Sequence, residues 1–224
     1  MQAPFEYVVV EKSDEEIAED RRIFSGLAVA VRALSEASLR TTIDHDEATV
    51  IRHEIEAITD RLRRSQIEGS YGVTMTSDGV VLGYGNAVVG VRNPIAPPLV
   101  IKTEPDGRTS AEFELNALYE GPPGCVHGGV VALVLDQVLG ESPAAGGTPG
   151  MTGTLTLRYG QPTALGKCSA AAWIERREGV KTIVKGWLRN ADGEITVEAE
   201  GIFILPRWAR EELARSGNQP PRFE

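Results

Sequence analysis

Hydrophobic spacing changes several times along this chain, and each change marks an element. Apolar side chains recur at Phe24, Leu27, Val31 and Leu34, and again at Ile51, Ile55, Ile58 and Leu62. Steps of three and four place each set on one helix face. Ser13 and Glu16 have capping-box spacing ahead of the first stripe, and Asp44 with Glu47 marks the start of the second. Together they predict a helical hairpin over residues 1–68, whose stripes need a partner surface on the main domain or on another subunit. The acids from Asp14 to Asp20 read as a solvated first turn.

Residues 69–99 are rich in Gly, Val and Pro. Asn93 to Pro98 fits neither a helix interior nor a central strand, so the segment reads as an extended linker. The main domain follows over 100–206. Val100–Glu104 and Thr109–Leu118 predict a strand pair turning at Pro105-Asp106-Gly107. A helix is expected over 128–140, then a Gly/Pro loop from Ser142 to Gly150. Four further strands are expected: Thr152–Tyr159, Lys167–Arg176, Val180–Arg189 and Glu194–Leu205. Turn signals at Gln161-Pro162, Glu178-Gly179 and Asp192-Gly193 separate them. Simple alternation in the first of these puts Thr152, Thr154, Thr156 and Arg158 on one face, with Leu155, Leu157 and Tyr159 on the other. The class is α+β: an antiparallel sheet wrapped around a single helix buries Val130, Val131, Leu133, Val134, Leu135 and Val138 without parallel crossovers. Residues 207–224 predict a short helix, Trp208 to Ser216, and a tail.

Composition narrows the class of function. The 224 residues carry a charged fraction of 25% and an apolar fraction of 42%, which suits an ordinary globular chain. The net charge of -9 argues against nonspecific nucleic-acid binding, while leaving room for a local basic patch that grips an anion. Cys125 and Cys168 are too few for a disulfide framework and read as reduced thiols of a cytoplasmic protein. The first residues, MQAPFEYVVVEKSDEE, lack the basic start and long apolar run of a signal peptide. No apolar stretch approaches the roughly 20 residues of a membrane span.

The candidate chemistry lies between Tyr119 and Gly140. A Gly/Pro-rich loop ends in His127-Gly128-Gly129 and feeds the apolar helix, inside which sits one carboxylate, Asp136. An isolated buried carboxylate is expensive unless it has partners or a task. The glycines let another backbone approach the helix N-terminus, where free N–H groups and the dipole favour developing negative charge. An anion site beside an out-of-place carboxylate points to acyl chemistry. The structural alternative is an Asp paired to a buried backbone or Arg group.

These motifs resemble the hotdog fold, specifically the PaaI-like thioesterase branch and its mitochondrial acyl-CoA thioesterase subset. The matching residues are Glu120-Gly121-Pro122-Pro123-Gly124, His127-Gly128-Gly129, Asp136, Met151-Thr152, Leu157-Arg158-Tyr159 with Pro162, and Glu178-Gly179 before Lys181-Thr182. The resemblance covers about 90–205 and leaves the N-terminal helices outside. It implies hydrolysis of acyl-CoA, with Asp136 as general base or nucleophile and Thr152 holding the water. It also implies that the N–H of Gly128, with Gly129, polarises the thioester carbonyl. Some relatives place Asn where this chain has Gly121, so no polar role is assigned there.

Helix geometry adds a consequence of its own. Gly128 and Asp136 are eight residues apart, about 12 Å along a helix. One thioester cannot touch both in one chain, so a shared site requires two subunits, with a homodimer or dimer of dimers expected.

His127 reads as a general acid for the leaving thiolate or as a loop-shaping residue at the helix start. Cys125 offers a thiolate nucleophile, but a Cys two residues from a His rarely has productive geometry. His45, Asp44, Asp46 and Glu47 read as a capped helix start rather than a metal site. Lys181, Arg158 and Arg176 are the candidates to grip CoA phosphates, against the plainer reading of solvated strand-edge charges. No metal or redox cofactor is required, CoA being part of the substrate. Two rivals share the fold. A non-catalytic acyl-CoA-binding regulator would usually add a basic DNA-binding module, and a dehydratase would use a different His-carboxylate motif.

Overall fold

A computed structural model describes residues 8–76, 80–207, 210 and 222–223. Strands β4 (Lys102–Thr103), β5 (Thr109–Leu115), β6 (Met151–Tyr159), β7 (Gly166–Glu178), β8 (Lys181–Arg189) and β9 (Ile195–Ile204) form one antiparallel sheet. Its order is β4-β5-β7-β8-β9-β6. The sheet wraps α3 (Gly128–Ala145), and Val131, Val134, Leu135, Val138 and Leu139 of the helix are almost wholly buried against Ala170, Val184, Leu188 and Phe203. This is the expected sheet around one helix, except that Leu133, expected in the core, is exposed and Val130 is only partly buried.

α3 runs past the Gly140 at which the sequence signals end it, and Ser142 and Pro143 lie inside it. Tertiary contacts explain the extension. A Cβ on Gly140 would stand 3.5 Å from Phe203, so the helix seats closely on the sheet. The Ser142 hydroxyl donates to the Gly107 carbonyl, and Thr109 Oγ1 donates to the Val138 carbonyl at 2.9 Å. At the far end, Arg177 Nη2 donates to the Gly146 carbonyl at 2.9 Å, placing a cation at the negative end of the helix. β5 is shorter than expected, because Asn116 caps a single 3-10 turn over Ala117–Tyr119.

The segment read as an extended linker is packed. It contributes Val88 and Leu99 to the main core. Within it, β2 (Thr74–Thr76) and β3 (Val80–Leu82) join β1 (Val8–Val10) and β10 (Arg222–Phe223) in a small mixed sheet. Apart from Arg210, the expected terminal helix lies outside the described residues.

Helix α1 (Asp14–Arg40) has the full capping box, with Ser13 Oγ accepting from the Glu16 N–H at 3.3 Å. Helix α2 (His45–Arg63) is capped by Asp44, which accepts from the Glu47 N–H at 2.9 Å. Both fall where the spacing puts them. α1 docks through Ala28, through Phe24 under the Arg92 guanidinium at 3.6 Å, and through Glu36, which accepts from Asn116 at 2.8 Å. Leu27 and Leu34 of the expected stripe therefore stay exposed. α2 buries no residue, so the two helices do not close into a packed hairpin.

Candidate functional site

The loop before α3 folds back on itself. His127 N–H donates to the Tyr119 carbonyl at 2.9 Å, Glu120 bridges Val126, and Glu120 Oε1 accepts from the Gly124 N–H at 2.7 Å. Gly121 sits where a Cβ would come within 2.8 Å of His127 Cα. Close backbone approach accounts for glycine there, and with it for the missing Asn.

His127 is the N-cap of α3, and its Nδ1 accepts from the Gly129 N–H at 2.9 Å. That bond occupies the Gly129 donor and places any proton of the neutral imidazole on Nε2. The Gly128 N–H lies at the first helical position, which has no intrahelical acceptor. Of the two glycines it alone remains a free donor. Tyr159 Oη donates to the Gly128 carbonyl at 2.8 Å and fixes the first turn from the sheet side. Sequence reasoning assigned Tyr159 no role; its place on the same strand as Thr152 was the available signal.

Asp136 is half-buried, and Thr152 Oγ1 donates to its Oδ1 at 2.9 Å. This contact depends on a backbone irregularity. The β6–β9 register pairs Thr152 with Phe203 but Thr154 with Ile202, so Gly153 is bulged out. Phe203 points into the core. The bulge therefore moves Thr152 onto the helix face with Leu155, Leu157 and Tyr159, away from the face shared by Thr154, Thr156 and Arg158. Simple alternation had put Thr152 on the wrong side.

One turn further along α3 lies a second carboxylate. Gln137 Nε2 donates to Glu141 Oε1 at 2.7 Å, and Asn86 Nδ2 donates to Gln137 Oε1 at 3.0 Å. Burial pushes the Glu141 carboxyl above its ordinary value, and the Gln137 hydrogen bond opposes this. Cys168 is buried, its thiol pushed up to about 11 by desolvation, which leaves it inert as a nucleophile. The Cys125 thiol has no hydrogen bond to His127, whose Nδ1 is engaged by Gly129.

Of the three basic candidates, Arg176 and Lys181 lie two register positions apart on the paired strands β7 and β8, and Arg158 lies away from them. Arg158 lies in register with Glu198 and, across β9, with Trp187 on β8. Lys181 is six residues from Trp187, about 20 Å along the strand. Arg176 Nε is bonded to Glu178 at 2.6 Å. Among the described residues Lys181 makes no ion pair, no group of three or more His, Cys, Asp or Glu side chains could hold a metal, and no helix is long and apolar enough to cross a membrane.

No protein-family model matches the chain. Among curated proteins, acyl-coenzyme A thioesterase THEM4 of Xenopus laevis is 34% identical over 97 residues, 41% of this chain and 42% of that protein. THEM4 of Bos taurus is 30% identical over 110 residues, 47% of this chain and 44% of that protein. The chain thus spans less than half the length of the curated relatives it matches. Among solved structures, a thioesterase superfamily protein is 33% identical with a TM-score of 0.72, the match covering 81% of this chain and 94% of that one.

Proposed function

The chain belongs to the hotdog-fold thioesterase superfamily, and from that premise we propose that it hydrolyses acyl-CoA thioesters to free acid and CoA. The observation that carries this reading is the Thr152–Asp136 hydrogen bond, which the bulge at Gly153 makes possible. Thr152 holds one carboxylate oxygen, and the other takes a proton from water as its oxygen attacks the thioester carbonyl. The C–S bond then breaks, and the proton passes to the departing CoA thiolate. In the nucleophilic variant, Asp136 itself attacks, releases CoA and forms a mixed anhydride that water cleaves. The Gly128 N–H stabilises the oxyanion in both.

The site takes two chains. Both groups lie on α3, about 12 Å apart along its axis. Strand β6 pairs with β9 on one side only, and its nine residues are mostly exposed, Met151 at 48% and Tyr159 at 52%. An open edge of that length invites pairing. Antiparallel pairing of β6 with its copy sets two α3 helices side by side and brings the Gly128 N–H of the partner subunit to Asp136. Lys181, which makes no ion pair among the described residues, is the proposed CoA phosphate contact.

Thiol release from straight-chain, branched and aromatic acyl-CoA substrates tests the activity. Turnover of at least one substrate by the native chain is expected. No turnover of any of them, with tight binding of acyl-CoA, would favour the regulator reading instead. Mixing Asp136→Asn with Gly128→Val chains tests the shared site. Recovery of activity is expected once the subunits exchange, and none after verified exchange removes the two-chain assignment.

A further inference from the structure

We propose that α2 is a self-docking helix, pairing antiparallel with α2 of a second copy of this chain. The proposal is independent of the reaction and of the β6 edge. Its starting point is the stripe Ile51, Ile55, Ile58, Leu62, whose steps of four, three and four place all four residues on one seam. Ile58 is 50% exposed and Leu62 46% exposed, Ile51 and Ile55 are half-buried, and no residue of α2 is fully buried. A capped helix with a seam of this regularity, exposed over its C-terminal half and only partly covered over the rest, suits a helical partner.

The flanking charges identify the partner. With Ile51 and Ile58 at d and Ile55 and Leu62 at a, the g positions fall on Glu54 and Arg61. In an antiparallel pair that stacks Ile55 on Ile58 of the other copy, the flanks bring Glu54 opposite Arg61, once on each side of the twofold axis. Neither side chain has an ion pair within its own protomer among the described residues. The neighbouring charges are already matched in-chain, Arg52 with Glu56 at 3.9 Å and Arg63 with Asp60 at 3.6 Å. The ends agree with this orientation: Asp46 and Glu47 occupy the first turn, and Arg61 and Arg63 the last.

Other occupants fit less well. The exposed apolar residues of α1, Ile23, Leu27 and Leu34, are spaced by four and seven, so they lie on one face, but their flanking positions are Gly26 and Ala33, which offer Glu54 and Arg61 nothing. A membrane surface selects helices with a cationic polar face. α2 carries five acidic residues against three arginines.

Disulfide trapping in the full chain tests the pairing. Ile55→Cys and Ile58→Cys chains are prepared separately, mixed and oxidised. The mixture is expected to give at least about tenfold more covalent heterodimer than a His53→Cys and Asp60→Cys mixture on the solvated face. Neither single variant alone should match it. Yields equal to that control, or dominant 55–55 and 58–58 products as in a parallel pair, would overturn the proposal. Trapping of α2 by Cys at Leu27 in preference to Ile58 would do so as well. Glu54→Arg alone is expected to cut trapping, and adding Arg61→Glu to restore it. Circular dichroism confirms that the helix survives. Failure here leaves thiol release untouched, and an inactive site leaves trapping untouched.

Discussion

Two helices of this protein use hydrophobicity in opposite ways. α3 is apolar nearly all round and is swallowed by the sheet, with Val134, Leu135, Val138 and Leu139 fully buried. α2 is polar with a single apolar seam and buries no residue fully. In α3 the informative residues are therefore the carboxylates, Asp136 and Glu141, because only a task or a partner justifies a charge there. In α2 the informative residues are the apolar ones, because solvent gives no reason for a regular seam of isoleucine and leucine. An element is best read through the residues that violate its environment.

The largest expected effect breaks the first of these carboxylates of α3. Asp136→Asn keeps the shape of the side chain and removes the base, so thiol release should fall about 100- to 10,000-fold, with folding unchanged by circular dichroism. Near-native turnover in the folded variant removes Asp136 from the mechanism. The next contrast is in stability. Leu139→Ala should cost about 2–5 kcal/mol in chemical denaturation, since it empties a fully buried site. Ile55→Ala should stay within about 0.5 kcal/mol in dilute protein. Equal costs would mean that α2 is buried in the protomer after all.

A smaller effect concerns the bulge. Thr152→Val removes a hydrogen bond to a charged group and should lower turnover roughly tenfold, about 1.5 kcal/mol. Near-native turnover in the folded variant removes that hydrogen bond from the mechanism. The smallest effect lies at Glu141. Its folded-state carboxyl is raised by burial, so the folded chain holds the proton more tightly than the unfolded chain does. Below the ordinary carboxylate value of 4.5 both states are protonated and the residue costs nothing. As pH rises through the folded value the cost appears in full. Glu141→Gln should therefore melt higher than the native chain at neutral pH, with the difference closing as pH falls below 4.5. A difference that is constant across pH would show that ionisation of Glu141 is not its source.

Much of the molecule follows from residues read in order. Both N-terminal caps, the turn at Gly107 and the succession of strands and one apolar helix along the chain depend on contacts within a few residues or on the period of the pattern. The separation of Gly128 from Asp136 was equally legible, because helix rise is fixed. Tertiary structure decided the rest. Gly140 and Pro143 are local stop signals that contacts with Phe203 and Gly107 override. The docking face of α1 turned to Ala28 and Phe24 because Arg92 and Asn116 stand there, and no periodicity within α1 encodes that. Residues 69–99 look like a linker because Pro and Gly dominate their local signal, yet Val88 and Leu99 fill space left by the sheet. Thr152 shows the division most sharply. Its presence beside Asp136 in the motif was legible, but its side of the strand was not. A period of two assigns faces only while pairing is regular, and the bulge at Gly153 exists only in the register between β6 and β9.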